Sequence, residues 1–263
     1  RMSNINKINS IINNYSTSDL CLKVVIVGKY TDGIDTYLSI HRAVEHAAYF
    51  KEIGVNIKYV DSRDPEKAND EIGFMADVVI IPGGFGSRGT EGMIEIAKFC
   101  RNRNIPTLGI CLGMQVMCIE SARNVLGPKC ISSEVLPEGV NKDDYYAIVD
   151  SISELEWKNM GGTMRLGSYG TMIENDTKAF FAYGKNNITE RHRHRYEINP
   201  KYFQTIEKGG LIFSGKNSEI GCMDIVEDPT RIFYVGCQYH PEFQSSNDNP
   251  SPLFISLIQS FNP

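Results

Sequence analysis

The chain has 263 residues, 41% of them hydrophobic, which is the length and composition of a globular protein with a sizeable core. The formal net charge is −5 and both signs are spread along the chain, which argues against an electrostatic nucleic-acid or membrane-surface partner. The apolar runs, such as residues 78–81, are far shorter than the ~20 residues that a membrane helix needs. We therefore expect no nucleic-acid partner and no membrane partner.

The seven cysteines form an odd count, with no Cys-x-x-Cys pair and no zinc-like spacing of Cys and His. This pattern argues against a disulfide framework and against a structural metal site. We expect no metal and a reducing compartment, the cytoplasm, in which most of these thiols are buried as small apolar side chains.

The first half of the chain alternates between strand-like and helix-like runs. Residues 1–22 are rich in Asn and Ser and are predicted to form a linker or arm, followed by one domain over residues 23–263. Strands are predicted at 23–28, 55–60, 77–82 and 105–110, and helices at 36–53, 65–74, 90–103 and 114–125. This alternation predicts an α/β fold with a mostly parallel central sheet that is flanked by helices on both faces.

The second half consists of shorter β-rich runs and a final helix. We expect the runs to extend the same layered domain with added antiparallel strands. They lie at residues 145–150, 168–174, 210–214, 220–227 and 231–237. The final helix is predicted to begin at Ser251-Pro252, a typical N-terminal start signal.

Cys111 is the first candidate for a catalytic residue. It lies in residues 109–113, Gly-Ile-Cys-Leu-Gly, between a predicted strand and a predicted helix. Flanking glycines allow a sharp turn from strand to helix with a reactive, partly exposed side chain at its tip. A thiol there faces the positive end of the helix, which favours the thiolate. A lone cysteine after a strand is more often a core residue, but the paired glycines favour a nucleophile.

Residues 238–243, Gln-Tyr-His-Pro-Glu-Phe, follow another predicted strand. His240 could act as the general base, with Glu242 holding its imidazole. A residue before proline is pushed to extended angles, and the turn after it can bring the carboxylate back to the ring. In isolation the segment is typical of a surface turn, whereas a nucleophile at a separate strand end favours catalysis.

Residues 82–89, Pro-Gly-Gly-Phe-Gly-Ser-Arg-Gly, come after a third strand and should lie near Cys111 at the carboxyl edge of the sheet. Acyl-transfer sites commonly pair the amide after the nucleophile, here Leu112, with an amide from such a loop, here Gly84, to bind an oxyanion. A phosphate-binding loop is the alternative, but neither common phosphate-binding pattern is present. A simple flexible loop also remains open.

Two further segments combine glycines or alternating basic residues. They are residues 161–167, Gly-Gly-Thr-Met-Arg-Leu-Gly, and residues 190–197, Glu-Arg-His-Arg-His-Arg-Tyr-Glu. Alternation in a strand would place Arg191, Arg193 and Arg195 on one face. That face is either a solvated edge or a site at which arginine recognises a carboxylate or phosphate.

Together these motifs resemble the class I, or triad, glutamine amidotransferases. Residues 109–115 and 240–242 carry the resemblance to the superfamily. Four other segments narrow it to the glutaminase domain of the CTP synthase family: residues 27–30, 82–89, 161–167 and 190–197. The resemblance runs from about residue 23 to the C terminus.

The resemblance implies a mechanism of glutamine hydrolysis. Cys111 attacks the γ-amide carbon of L-glutamine, and the amides of Gly84 and Leu112 hold the oxyanion. His240, oriented by Glu242, protonates the leaving ammonia and then activates water to hydrolyse a γ-glutamyl thioester. The α-amino and α-carboxylate groups of glutamine are implied to be held by a second set of residues, Gln115, Glu134 and Arg195.

The resemblance also implies partners. In the family, ammonia passes to an N-terminal synthetase domain of the same enzyme, where ATP, UTP and Mg act and UTP is aminated to CTP. It thus implies no cofactor in this domain, a homotetrameric full-length enzyme, and a monomer or weak dimer for this chain. GTP is implied as an allosteric activator at a lid formed by Phe85, residues 161–167 and the arginine-rich strand. Two alternatives remain: a non-catalytic docking or assembly module of the same enzyme, and a γ-glutamyl or ester hydrolase on a related fold.

Overall fold

The computed structural model describes residues 21–29, 34–136, 139–152 and 164–261. Residues 1–20 of the predicted arm, residue 30 and residues 161–163 of the predicted lid segment lie outside the described residues. The first strand begins at Leu22.

Among the described residues, the first half of the chain forms four strands and four α-helices, in the order that the sequence predicts. The strands are β1 (Leu22–Gly28), β2 (Val55–Asp61), β3 (Val78–Ile81) and β4 (Thr107–Ile110). The helices are α1 (Leu38–Lys51), α2 (Pro65–Met75), α3 (Thr90–Arg103) and α4 (Leu112–Leu126). Every residue of β3 and β4 is buried, as expected for strands with helices on both faces.

Short strands dominate the second half. They are β5 (Cys130–Ser132), β6 (Tyr146–Ser151), β7 (Arg165–Ile173), β8 (Asn187–His194), β9 (Tyr196–Ile198), β10 (Ile212–Asn217), β11 (Met223–Glu227) and β12 (Tyr234–Cys237). The helices are α5 (Lys178–Tyr183), α6 (Phe203–Lys208) and α7 (Pro252–Gln259). Helix α7 begins at the Ser-Pro signal, with Ser251 as its N-cap.

The main sheet has nine strands in the order β2-β1-β3-β4-β12-β11-β10-β7-β8. In this order, neighbouring strands among β2, β1, β3, β4 and β12 pair in parallel. Neighbouring strands among β12, β11, β10, β7 and β8 pair in antiparallel. The predicted fold class is therefore confirmed. Strand β6 lies outside this sheet, in a three-stranded sheet with β5 and β9.

Helices cover both faces of the sheet. Alternate residues of β1 point to opposite faces, so Val25 and Val27 pack with α2, α3, α4 and α6, while Val24 and Ile26 pack with α1, α5 and α7. No helix among the described residues is long and apolar enough to span a membrane. None of the seven cysteines, all of which are described, forms a disulfide.

Parallel pairing brings the ends of three strands together. Ile81 of β3 pairs with Gly109 of β4, and Ile110 of β4 pairs with Cys237 of β12. The three segments that follow, residues 82–89, Cys111 and residues 238–243, therefore leave the sheet at one edge.

We expect Gly113→Ala to lower the free energy of unfolding by about 3 kcal/mol. An added Cβ would stand 2.0 Å from the carbonyl oxygen of Ile81, which belongs to the backbone of β3 and has little freedom to move. Urea denaturation measures the change.

The matched control is Gly73→Ala in α2. There the Cβ would lie 3.2 Å from a ring atom of Phe99, and alanine is the better helix former by about 1 kcal/mol. We expect a change within about 1 kcal/mol of zero. Equal losses in the two variants would contradict the proposed clash.

Candidate active site

Cys111 occupies a strained turn between β4 and α4. Its φ of 55° and ψ of −104° are rare for a residue with a side chain, and such strain is held only where the surroundings fix it. The amide of Cys111 donates to the carbonyl of Cys237 at 2.7 Å, which ties the turn to β12. The flanking glycines act through close packing, since a Cβ at Gly109 would lie 2.6 Å from Met117 Sδ.

The prediction of a partly exposed thiol is wrong. Cys111 is 3% exposed and lines a cavity of about 400 Å³. Gly83 lies close to Cys111 and His240, because a Cβ built on Gly83 would be 3.4 Å from Cys111 Cβ and 3.1 Å from His240 Cε1. A larger side chain in the loop would press on both groups.

His240 and Glu242 meet as the sequence predicts. Nδ1 of His240 lies 2.8 Å from Oε1 of Glu242, and both side chains are largely buried. His240 has extended angles, with φ −109° and ψ 86°, and a 3-10 turn (Pro241–Gln244) follows it and brings the carboxylate back to the ring. The carboxylate can therefore fix both the orientation and the tautomer of the imidazole.

The Cys111 thiol and the His240 imidazole are coupled. Burial lowers the pKa of His240, but the negative charge and hydrogen bond offered by Cys111, together with Glu242, outweigh burial and raise this pKa to about 10. The surroundings of the ring thus favour the protonated imidazolium at neutral pH.

A buried lysine anchors the glycine loop. Nζ of Lys29 donates to the carbonyl of Phe85 at 3.3 Å, to Thr90 Oγ1 at 2.7 Å and also to the carbonyl of Gly86. Burial lowers the pKa of Lys29 to about 8, although Glu134 opposes this shift. Lys29 belongs to residues 27–30, which narrow the family resemblance, but the sequence assigns it no role in the site.

Gly84 and Leu112, the two residues predicted to bind the oxyanion, lie close together. A Cβ built on Gly84 would be 3.4 Å from Cδ2 of Leu112. The side chain of Glu134 accepts a hydrogen bond from the amide of Gly86 at 2.8 Å. Glu134 and Lys29 therefore both form hydrogen bonds with the glycine loop.

Gln115 is buried beside the nucleophile. Its Nε2 donates to the carbonyl of Tyr196 and to Oε1 of Gln238, each at 3.1 Å. Nε2 of Gln238 in turn lies 3.7 Å from Cys111 Sγ. Gln238 was missed as a site residue, although it belongs to the segment that contains His240.

The arginines alternate along an edge strand, as predicted. Arg191 and Arg193 are exposed residues of β8, and Arg195 is exposed just beyond its end. Arg193 lines the cavity, together with Gly83, Gly84, Cys111, His240 and Phe243. Arg195 is not among the lining residues. Its backbone carbonyl accepts from the amide of Ile152 at 3.0 Å.

Phe243 was also missed. Its ring stacks on the imidazole of His240, with centroids 4.7 Å apart and planes inclined by 8°. Nothing in the spacing of the motif distinguishes this phenylalanine from a core residue. Within the described residues, no group of three or more His, Cys, Asp or Glu side chains is arranged to hold a metal ion.

Comparison with known proteins decides the family. Residues 33–260 match the family model for glutamine amidotransferase class-I. The solved glutaminase domain of Trypanosoma brucei CTPS with bound acivicin superposes with a TM-score of 0.81 at 34% identity, covering 91% of this chain and 93% of that one. The chain belongs to the class-I glutamine amidotransferases of the CTP synthase family.

Full-length relatives in this amidotransferase family are longer than the chain. The CTP synthase of Pyrococcus furiosus is 41% identical over 242 residues, which are 91% of this chain and 44% of that protein. The CTP synthase of Bacteroides fragilis is 42% identical over 252 residues, which are 95% of this chain and 46% of that protein. The chain thus spans about half the length of these relatives.

We expect Cys111→Ser in this amidotransferase domain to lower the pKa of His240 from about 10, because a serine hydroxyl does not supply the negative charge by which Cys111 raises this pKa. NMR titration of the imidazole resonances measures the change. The wild-type ring should keep its proton until the pH rises through about 10, and the variant should lose it earlier. Cys21→Ser, ahead of β1, is the control, and an unchanged titration in Cys111→Ser would refute the coupling.

We expect Phe243→Leu to lower kcat for glutamine hydrolysis about fivefold with little change in KM, since an aromatic stack contributes about 1 kcal/mol to holding the ring. Phe243→Tyr should retain the wild-type rate. Steady-state kinetics on both variants, with Phe181→Leu at an exposed site in α5 as the control, provide the measurement. Equal rates for the Leu and Tyr variants would mean that stacking does not position His240.

Proposed function

We propose that the chain hydrolyses the side-chain amide of L-glutamine to give glutamate and ammonia, with Cys111, His240 and Glu242 as the catalytic residues. The observation that carries the proposal is the convergence of a cysteine on a strained turn with a carboxylate-bound imidazole whose pKa is raised by that cysteine. Membership of the glutamine amidotransferase family supports the choice of substrate.

The first half-reaction forms a thioester. The thiolate of Cys111 attacks the side-chain amide carbon of glutamine, and the carbonyl oxygen becomes an oxyanion that accepts hydrogen bonds from the amides of Gly84 and Leu112. The His240 imidazolium transfers its proton to the amide nitrogen. The carbon–nitrogen bond then breaks, ammonia leaves and the γ-glutamyl thioester remains.

The second half-reaction regenerates the enzyme. His240, now neutral, takes a proton from water as the oxygen attacks the thioester carbon. The second oxyanion collapses with loss of the Cys111 thiolate, which restores the thiolate–imidazolium pair and gives glutamate. Glu242 keeps the imidazole in the tautomer that presents Nε2 to the sulfur and to water.

Recognition of free glutamine is proposed for Gln115, Glu134 and Arg195. An arginine suits the α-carboxylate, and a carboxylate with an amide oxygen suits the α-ammonium group. The contact of Glu134 with Gly86 supports its assignment, because a ligand on Glu134 would be linked directly to the glycine loop.

The wider reaction is proposed from the relatives, which are named CTP synthases. Ammonia from this domain would serve amination of UTP to CTP in a synthetase domain of the same enzyme, where ATP and Mg act. GTP is proposed as an activator at the lid around Phe85 and the arginine-rich strand. We further propose that the full-length enzyme is a homotetramer and that this chain alone is a monomer or weak dimer.

The test is intact mass spectrometry after incubation with 6-diazo-5-oxo-L-norleucine, an electrophilic mimic of glutamine, followed by peptide mapping. We expect a single adduct on Cys111 that excess glutamine prevents, no adduct in Cys111→Ala, and weak turnover of glutamine by this chain without a synthetase domain. Adduct formation at another cysteine would contradict the assignment. A folded chain that forms no adduct would favour the non-catalytic docking module.

A further inference from the structure

A chain of hydrogen bonds links a main-chain carbonyl to the sulfur of Cys111. It starts at the carbonyl oxygen of Tyr196, which accepts from Nε2 of Gln115 at 3.1 Å. The same Nε2 donates at 3.1 Å to Oε1 of Gln238, whose Nε2 points to Cys111 Sγ at 3.7 Å. Gln115 is 3% exposed and Gln238 is 0% exposed, so water does not compete for these bonds.

The direction of these hydrogen bonds follows from the carbonyl group of Tyr196, at which the series begins. A main-chain carbonyl only accepts hydrogen bonds, so the Gln115 atom facing Tyr196 must be the amide nitrogen. That nitrogen requires an acceptor on its other side, which fixes Oε1 of Gln238 towards Gln115. The remaining atom of the Gln238 amide, the nitrogen, must then face the sulfur.

A second donor occupies the carbonyl of Tyr196. Nδ1 of His194 lies 3.0 Å from the same oxygen, and Nε2 of His194 lies 3.0 Å from Nδ1 of His192. Burial is the largest effect on the pKa of His194 and lowers it well below its usual value, so the ring is neutral with its proton on Nδ1. The carbonyl oxygen of Tyr196 therefore accepts hydrogen bonds from both His194 and Gln115. If the side-chain amides of Gln115 and Gln238 were turned over, the hydrogen bond from Gln115 to this oxygen would be lost.

We propose that Gln238 is a hydrogen-bond donor to the nucleophilic sulfur, oriented by Tyr196 through Gln115. The inference rests on the proposed role of Cys111 and adds a second partner for its sulfur besides His240. A donor on this side stabilises the thiolate and fixes the position of Sγ over the turn. The backbone supports this role, because the amide of Gln238 donates to the carbonyl of Asp224 at 2.8 Å and fixes the end of β12.

Several titratable or charged groups face the sulfur. His240 and Glu242 come from the segment after β12, and Cys237 comes from β12 itself. Arg193 of β8 lines the same cavity. A variant of Gln238 removes the donor that faces the sulfur at 3.7 Å and leaves these four groups unchanged.

The test measures the rate at which iodoacetamide alkylates Cys111 between pH 5 and 9, followed by peptide mass spectrometry. In Gln238→Met, which keeps the length of the side chain but has no donor, we expect the pH of half-maximal rate to rise by about one unit. Gln238→Glu, which replaces the donor with a negative charge, should shift it further. Gln204→Met, at an exposed position in α6, is the control and should leave the profile unchanged.

A double-mutant cycle tests whether Gln115 acts on the sulfur through Gln238. Gln115→Met should shift the profile less than Gln238→Met, and the double variant should shift it no further than Gln238→Met alone. Circular dichroism confirms that each variant is folded. An unchanged profile in folded Gln238→Met and Gln238→Glu, or additive shifts in the cycle, would overturn the inference. Since iodoacetamide needs no glutamine, a failure of the proposed glutaminase activity would be seen separately, with the glutamine mimic.

Discussion

The pairing of β4 with β12 is the constraint on which the site depends. These strands lie side by side in parallel although Cys111 and Gln238 are 127 positions apart in the chain. Their register places Cys111 and the segment that contains His240 at the same edge of the sheet. The hydrogen bond from the Cys111 amide to Cys237 then holds the strained turn in place. This pairing therefore brings the strained turn of Cys111 and the segment that contains His240 together.

Much of this arrangement could be predicted from the sequence, because it depends on local patterns. Periodicity marked the alternating strands and helices, and the edge rule for parallel sheets placed residues 82–89 near Cys111. The paired glycines around Cys111 and the proline after His240 are short-range signals with a direct steric meaning. The alternation of arginines likewise predicted the exposed face of β8.

What could not be predicted depends on contacts between distant segments. Cys111 is buried where segments distant in the sequence meet, and Gly83 of another loop lies close to it. The stack of Phe243 on His240 depends on the geometry of a turn that a sequence pattern does not specify. Lys29 and Gln238 are polar residues at strand ends, a position that many structural residues share. Strands β5, β6 and β9 form a separate sheet. Periodicity does not predict this, because it does not determine which strands pair with each other.

The position of β12 has a consequence for how the protein is made. This strand lies between β4 and β11 in the interior of the sheet, yet it is the last strand of the described chain to be synthesised. A ribosome-bound chain therefore carries Cys111 long before it carries His240. Until β12 has been synthesised, Cys111 does not have His240 beside it. Cys111 and His240 therefore come together only once β12 has taken its place between β4 and β11.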